Sequence, residues 1–216
     1  MLPVDHLVYA TPTLEETVGE VAEMCGVTPG PGGRHPAWGT RNHLLSLGGR
    51  TYLEIIGPDP SQPPPPEPRI FGLDSLERPR LVRWAARASS LGPIVREARR
   101  AGVELGELLP GKRLRTDGVL LSWELTDPRI APADGLVPFL IDWLDSPHPA
   151  RNAPGNSPSD ACRLLYLTAT HPDPDSVRSA LRAIPVPGIA ALPVQPSEAP
   201  ELTAVLSTPR GEVQLT

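Results

Sequence analysis

Val4-Asp5-His6-Leu7-Val8-Tyr9-Ala10, then Thr13-Leu14-Glu15-Glu16, then a stripe of Leu14, Val18, Val21, Ala22 and Cys25 ending at Gly26, decides the fold. The first seven residues alternate and are rich in β formers, which predicts a strand. Thr13 with Glu16 three residues on reads as a capping box, the stripe has helical spacing, and Gly26 supplies a left-handed stop. Two strands follow at 42–47 and 51–56, joined by Gly48-Gly49, with a weaker one near 28–34. The order is β-α-β-β-β.

That order returns downstream. A strand is expected at 81–87, a helical stripe at Leu91, Val95 and Ala98 ended by Gly102, and strands at 119–125 and 137–143. Leu14 to Leu91 is 77 positions, Gly26 to Gly102 is 76, and Leu44-Leu45-Ser46-Leu47 lines up with Leu120-Leu121-Ser122-Trp123. A third copy reads as a strand at 163–170 and a helix capped by Asp173 with Pro174 at its first turn. Val177, Ala180, Leu181 and Ile184 form its stripe, and strands at 202–208 and 211–215 complete it. Its expected inward residues are Leu165, Leu167, Val205 and Val213. A fixed repeat of this kind predicts an α+β fold of βαβββ modules. The boundaries are 1–60 for module one, 61–80 for a proline-rich connector, 81–145 for module two, 146–160 for a polar linker and 161–216 for a degenerate third module. The run from Pro58 to Pro68 reads as a polyproline II spacer.

With 39% hydrophobic and 21% charged residues, the 216-residue chain has the balance of a soluble globular protein. A net charge of −5 argues against nucleic acid or an anionic membrane as partner. The 30 prolines fall mainly between periodic segments, where they stiffen turns. The two cysteines, Cys25 and Cys162, lack CxxC company and read as buried thiols. With no signal-peptide pattern and no long apolar run, a reducing cytoplasm is the expected compartment. PGPGGRHP lacks the GK[ST] of a phosphate loop, and no Ser/His/Asp or Cys/His set has usable spacing.

Several segments carry a family resemblance: Asp5-His6-Leu7-Val8-Tyr9-Ala10, Pro31-Gly32-Gly33-Arg34-His35-Pro36, Gly39-Thr40-Arg41-Asn42 and Tyr52-Leu53-Glu54-Ile55. Pro138-Phe139-Leu140-Ile141-Asp142-Trp143 and Pro147-His148-Pro149 extend it. Together they resemble glyoxalase-like proteins of the vicinal oxygen chelate superfamily, over about the first 150 residues. The resemblance implies curled mixed sheets around a cavity, and a divalent metal (Zn, Mn, Fe or Ni) that chelates adjacent oxygens of a small-molecule substrate. It places His6 and Glu54 at metal-ligand positions, with Glu54 also a candidate catalytic base. A homodimer is compatible with it.

The residues themselves leave two readings of that pair. A His and a carboxylate on apolar strand faces are costly unless paired, hydrogen-bonded or coordinating a cation. They serve a metal or substrate, or they form a buried structural pair. In the second module the matching positions are Arg83 and Ile141, and in the third Leu165 and Gln214, none a good ligand. Arg83 could replace the metal's charge and grip a substrate carboxylate bidentately, or pair with a structural carboxylate. Arg34, His35 and Asn42 are candidate substrate-binding residues beside the glycine-rich turn, and so is Trp143. His148 and His171, each before proline, are expected in loops. Two functions remain open: a lyase, isomerase or dioxygenase of the glyoxalase type, or a metal-free protein that sequesters a small molecule.

Overall fold

The computed structural model describes residues 2–114, 118–157 and 161–216; the end of the expected linker, 158–160, lies outside them. The chain divides into two compact units. One, here the His6 unit, comprises His6–Val82, His148–Tyr166 and Thr203–Thr216. The other, the Arg83 unit, comprises Met1–Asp5, Arg83–Pro147 and Leu167–Leu202.

The first βαβββ element set is β1 (Val4–Ala10), α1 (Leu14–Cys25), β2 (Gly30–His35), β3 (Thr40–Ser46) and β4 (Tyr52–Pro58). Its strand order is β2-β3-β4-β1, antiparallel from β2 to β4 and then parallel between β4 and β1. The parallel closure needs a crossover, and α1 supplies it. Leu14, Val18, Val21 and Cys25 are buried, and Gly26 ends the helix at φ 73°. Thr13 stands at the N-cap, but its side chain makes no capping bond. The Thr11 hydroxyl accepts from the Thr13 N–H at 3.1 Å and meets the Thr17 hydroxyl at 2.7 Å, which pins the turn into the helix from two residues before the N-cap.

The second set is β5 (Arg80–Arg87), α2 (Leu91–Arg100), β6 (Leu108–Leu114), β7 (Leu120–Thr126) and β8 (Phe139–Asp142). Its order, β6-β7-β8-β5, repeats the first, again with a parallel last pair. Strand β6 has no counterpart among the elements expected from the sequence, since Pro110 and Gly111 are poor strand formers. Gly111 is required there, since a Cβ would lie 2.2 Å from the Trp123 indole opposite it.

The third set is β9 (Arg163–His171), α3 (Pro174–Arg182), β10 (Val194–Pro196), β11 (Glu201–Thr208) and β12 (Gly211–Leu215). Asp173 caps α3 by accepting from the Ser176 N–H at 3.0 Å, with Pro174 in the first turn. The element order matches the other sets, but the strand order is β10-β9-β11-β12, with the short β10 parallel to β9. The buried side of β11 carries Leu202, Ala204, Leu206 and Thr208. Val205 therefore points the other way, one residue out of the expected phase, and Leu165 is exposed. Leu167 is buried as expected. Among the described residues no helix is long and apolar enough to cross a membrane. The fold is α+β, built on recurrent βαβββ order.

Candidate functional site

In the His6 unit, the parallel register sets His6 opposite Tyr52 and Val8 opposite Glu54. Residues two apart on a strand share a face, so His6 and Glu54 come to one side of neighbouring strands. His6 Nε2 lies 3.7 Å from Glu54 Oε2, and the His6 ring stacks on Tyr52 with centroids 4.7 Å apart. Both polar side chains are almost out of water, at 4% and 9% exposure.

Strand β3 adds Asn42, buried beside them. The Gly33 N–H donates to Asn42 Oδ1 at 2.7 Å, which fixes the amide orientation: Nδ2 must be the donor, and it donates to Glu54 Oε1. A register shift between Pro31 and Gly33 makes room for this. A Cβ on Gly32 would fall 2.1 Å from Asn42 Oδ1, so only glycine leaves the amide its place. One carboxylate oxygen of Glu54 is thereby occupied by a donor, and the other faces His6.

His148 was expected in a loop and was not assigned to the site. It caps the short 3-10 turn Pro149–Arg151, where its Nδ1 accepts from the Ala150 N–H at 3.2 Å, and it is buried. In the neutral imidazole this puts the ring proton on Nε2. Its ring meets Tyr52 edge-on at 5.7 Å, so His6, Tyr52 and His148 form a row. The Pro147-His148-Pro149 motif was the only sign of it in the sequence.

The other sequence candidates go elsewhere. Arg34 Nε donates to Asp59 Oδ2 and its Nη2 to the Ser61 hydroxyl, each at 2.7 Å. Asp59 also accepts from the Ser61 N–H, the Ser61 hydroxyl and the Gln62 amide. Burial alone would raise the Asp59 pKa, but these donors outweigh it and hold the carboxyl well below the usual range. Arg34 thus ties the proline-rich connector to β2. His35 Nδ1 bonds with the Thr40 hydroxyl at 3.0 Å, next to Trp38. Both cysteines are buried, and burial, followed by the neighbouring Cys162, pushes the Cys25 thiol up to about 12, far from a thiolate nucleophile.

In the Arg83 unit, Trp143 is buried and its indole N–H points at both oxygens of Asp5, at 3.1 and 3.2 Å. Arg83 donates through Nη2 to the carbonyls of Pro128 and Ile130, at 3.1 and 3.3 Å. The partners are backbone carbonyls, not the carboxylate expected of a structural pair. Both planar bidentate grips of a guanidinium use Nη2, so neither is open to a substrate carboxylate.

His6 and Glu54 are two donors, whereas a catalytic zinc ordinarily has three protein ligands. Among the described residues no three His, Cys, Asp or Glu side chains come together as a metal-holding group. The donor set does not fit a resident divalent ion.

Comparison with solved structures finds a hypothetical protein from Staphylococcus aureus at TM-score 0.59 and 11% identity, covering 99% of this chain and 84% of that one. Methylmalonyl-CoA epimerase from Mycobacterium tuberculosis follows at TM-score 0.41 and 17% identity, covering 64% and 85%. The first of these likenesses speaks to the fold alone. No curated protein matches the sequence. Residues 4–184, however, match the glyoxalase-like domain family. The chain therefore belongs to that family, within the vicinal oxygen chelate superfamily.

Proposed function

We propose that this protein is a glyoxalase-like enzyme that moves a proton on a small carbonyl compound, an isomerase- or lyase-type reaction with Glu54 as general base. One observation carries the reading: a buried carboxylate with one oxygen tied to Asn42 and the other held toward His6. The Asn42 amide fixes the plane of the carboxylate, so that Oε2 is the oxygen presented for chemistry. Glu54 Oε2 would take a proton from the carbon next to the substrate carbonyl. The His6 imidazole would donate an N–H to the oxygen on which charge grows, giving an enol that the reverse transfers convert to product. A base positioned in this way typically contributes about 10²–10⁴-fold to the rate.

The test is solvent-deuterium exchange, followed by NMR, into pyruvate, hydroxyacetone and acetyl and propionyl thioesters of N-acetylcysteamine. Wild-type protein should accelerate exchange in at least one, and Glu54→Gln should return it to the buffer rate. Equal rates in wild type and Glu54→Gln would remove Glu54 from the chemistry. A second reading, sequestration of a small molecule without turnover, draws on the residues that stand at the matching positions of the second module, Arg83 and Phe139, neither of which is a metal ligand. It gains ground if no compound exchanges and one of them nevertheless binds.

A further inference from the structure

The prolines between Pro58 and Pro68 dictate the backbone that leaves β4. Proline fixes φ near about −65° and pushes the residue before it to an extended ψ. Pro63, Pro64 and Pro65 are constrained in both ways, which makes this stretch polyproline II helix. Arg69, just beyond it, has φ −61° and ψ 147°, the same conformation. With three residues per turn, residues three apart share a side. Gln62 and Pro65 are half-buried, whereas Pro63, Pro64 and Pro66 are exposed.

The run closes on itself instead of reaching across a gap. The Gly39 carbonyl accepts from the Asp59 N–H at 3.0 Å at one end and from Arg69 Nε at 3.3 Å at the other. Ten residues of straight polyproline II would reach about 31 Å, yet both ends return to one oxygen. Between them the Gln62 amide donates to the Thr40 carbonyl at 3.3 Å. Pro65 lies over Gly39, where an added Cβ would stand 2.7 Å from the proline ring, and Gly39 has φ of 59°. The Asp59 carboxylate, with its donors from Arg34 and Gln62, fixes one foot. The Asp74 carboxylate fixes the other by accepting from the Arg69 N–H at 2.7 Å. The inner residues thus hold a bowed rib whose outer prolines stand in water.

We propose that Pro63, Pro64 and Pro66 form a docking ridge for a partner protein that carries an aromatic-lined groove. Grooves of that kind take a polyproline II helix because its rings pack flat on aromatic faces and its backbone is already ordered. A free proline-rich peptide still loses some freedom when it binds. This rib is tied at Asp59, Gln62, Pro65 and Arg69, so most of that ordering precedes the encounter. A run built only to separate two elements has no need of anchors that fold it back and turn three rings outward. The ridge is independent of the Glu54 chemistry.

The probes are purified ¹⁵N-labelled SH3, WW and EVH1 domains, three aromatic-grooved modules, titrated with the full chain and followed by NMR. At least one should show saturable shifts confined to its groove, with Kd below about 1 mM. Pro64→Ala combined with Pro66→Ala removes exposed rings only, so the chain should still unfold cooperatively while affinity falls at least about tenfold. A synthetic peptide of residues 58–69 should bind roughly tenfold more weakly than the folded chain, because it is ordered only on binding. Gly39→Ala, which displaces Pro65, should bring the chain down to the affinity of the peptide. If that variant does not fold, the comparison of peptide with wild type decides the role of the anchors. No shift in any of the three modules at about 1 mM overturns the ridge, as does binding that survives the double variant. A peptide that binds as tightly as the folded chain overturns it too, since the anchors would then contribute nothing.

Discussion

β1 with β4 and β5 with β8 are the same device built twice: two parallel strands closing a meander behind a crossover helix. Their chemistry is opposite. Val8 sits opposite Glu54 in the first pair, and Ala85 sits opposite Phe139 in the second. On the offset that carries His6 to Arg83, Val8 falls on Ala85, so Phe139, and not the Ile141 expected from the sequence, holds the place of Glu54. Where one pair keeps a carboxylate with an amide and an imidazole around it, the other keeps an aromatic ring. The lesson is that backbone repetition preserves the slots while the side chains divide the work, one pair holding a buried polar cluster and the other packing an aromatic ring.

The sharpest way to break this contrast is to change the two matched positions and read both rate and stability. Glu54→Gln keeps volume and can still accept from Asn42, so the melting temperature should barely move while exchange falls about 10²–10⁴-fold. Phe139→Ala should do the reverse. Removing a buried aromatic ring costs about 3–5 kcal/mol, visible by urea unfolding, and should leave the exchange rate per folded molecule unchanged. A Glu54→Gln variant that unfolds readily but exchanges normally would turn the polar pair back into a structural one.

A smaller effect is expected at Asn42. Asn42→Ala strips the Gly33 N–H of its acceptor and Glu54 of a donor, at a cost of about 1–3 kcal/mol in stability. The loss of a fixed carboxylate plane should slow exchange roughly tenfold, the equivalent of about 1.4 kcal/mol in the transition state. Gly32→Ala should slow exchange to a similar degree, because its Cβ would displace the same amide. The double variant should be little worse than either single one, since both act through one hydrogen bond. Additive losses would mean that Gly32 serves something other than Asn42.

How far all this could be read beforehand follows from the range of the interactions. β1, α1 and β4 stand out because their signals are local: alternation, a helical stripe, a glycine stop. The meeting of His6 and Glu54 on one face follows from strand period and the pairing of first and last strands. β6 is hidden because Pro110 and Gly111 are poor strand formers, and Gly111 makes sense only beside Trp123 across the ladder. β10 has three residues, too few for periodicity to register. His148 is buried through a 3-10 turn packed on Tyr52, a contact nearly a hundred positions away in sequence that no local pattern announces. The Arg83 carbonyl partners lie in a loop whose left-handed backbone has no signature at Ala133 and Asp134.

Asp59 gives the smallest effect and the cleanest separation of polar scaffold from polar chemistry. Its carboxyl is buried within a ring of donors from Arg34, Ser61 and Gln62, which anchors the connector after β4. Its folded pKa lies below the unfolded value of about 3.9. A group shifted in that direction contributes stability that is fully present above pH of about 4 and is lost as pH falls further through the folded value. The melting-temperature gap between wild type and Asp59→Asn should therefore be widest at pH 5 and above and narrow steadily between pH 4 and 2. Exchange at neutral pH, per folded molecule, should be the same in both proteins, because Arg34 and Asp59 bind each other and not Glu54. A gap that stays constant with pH would show that packing of the connector, and not the charge on Asp59, holds it. A fall in exchange would draw Arg34 and the connector into the site after all.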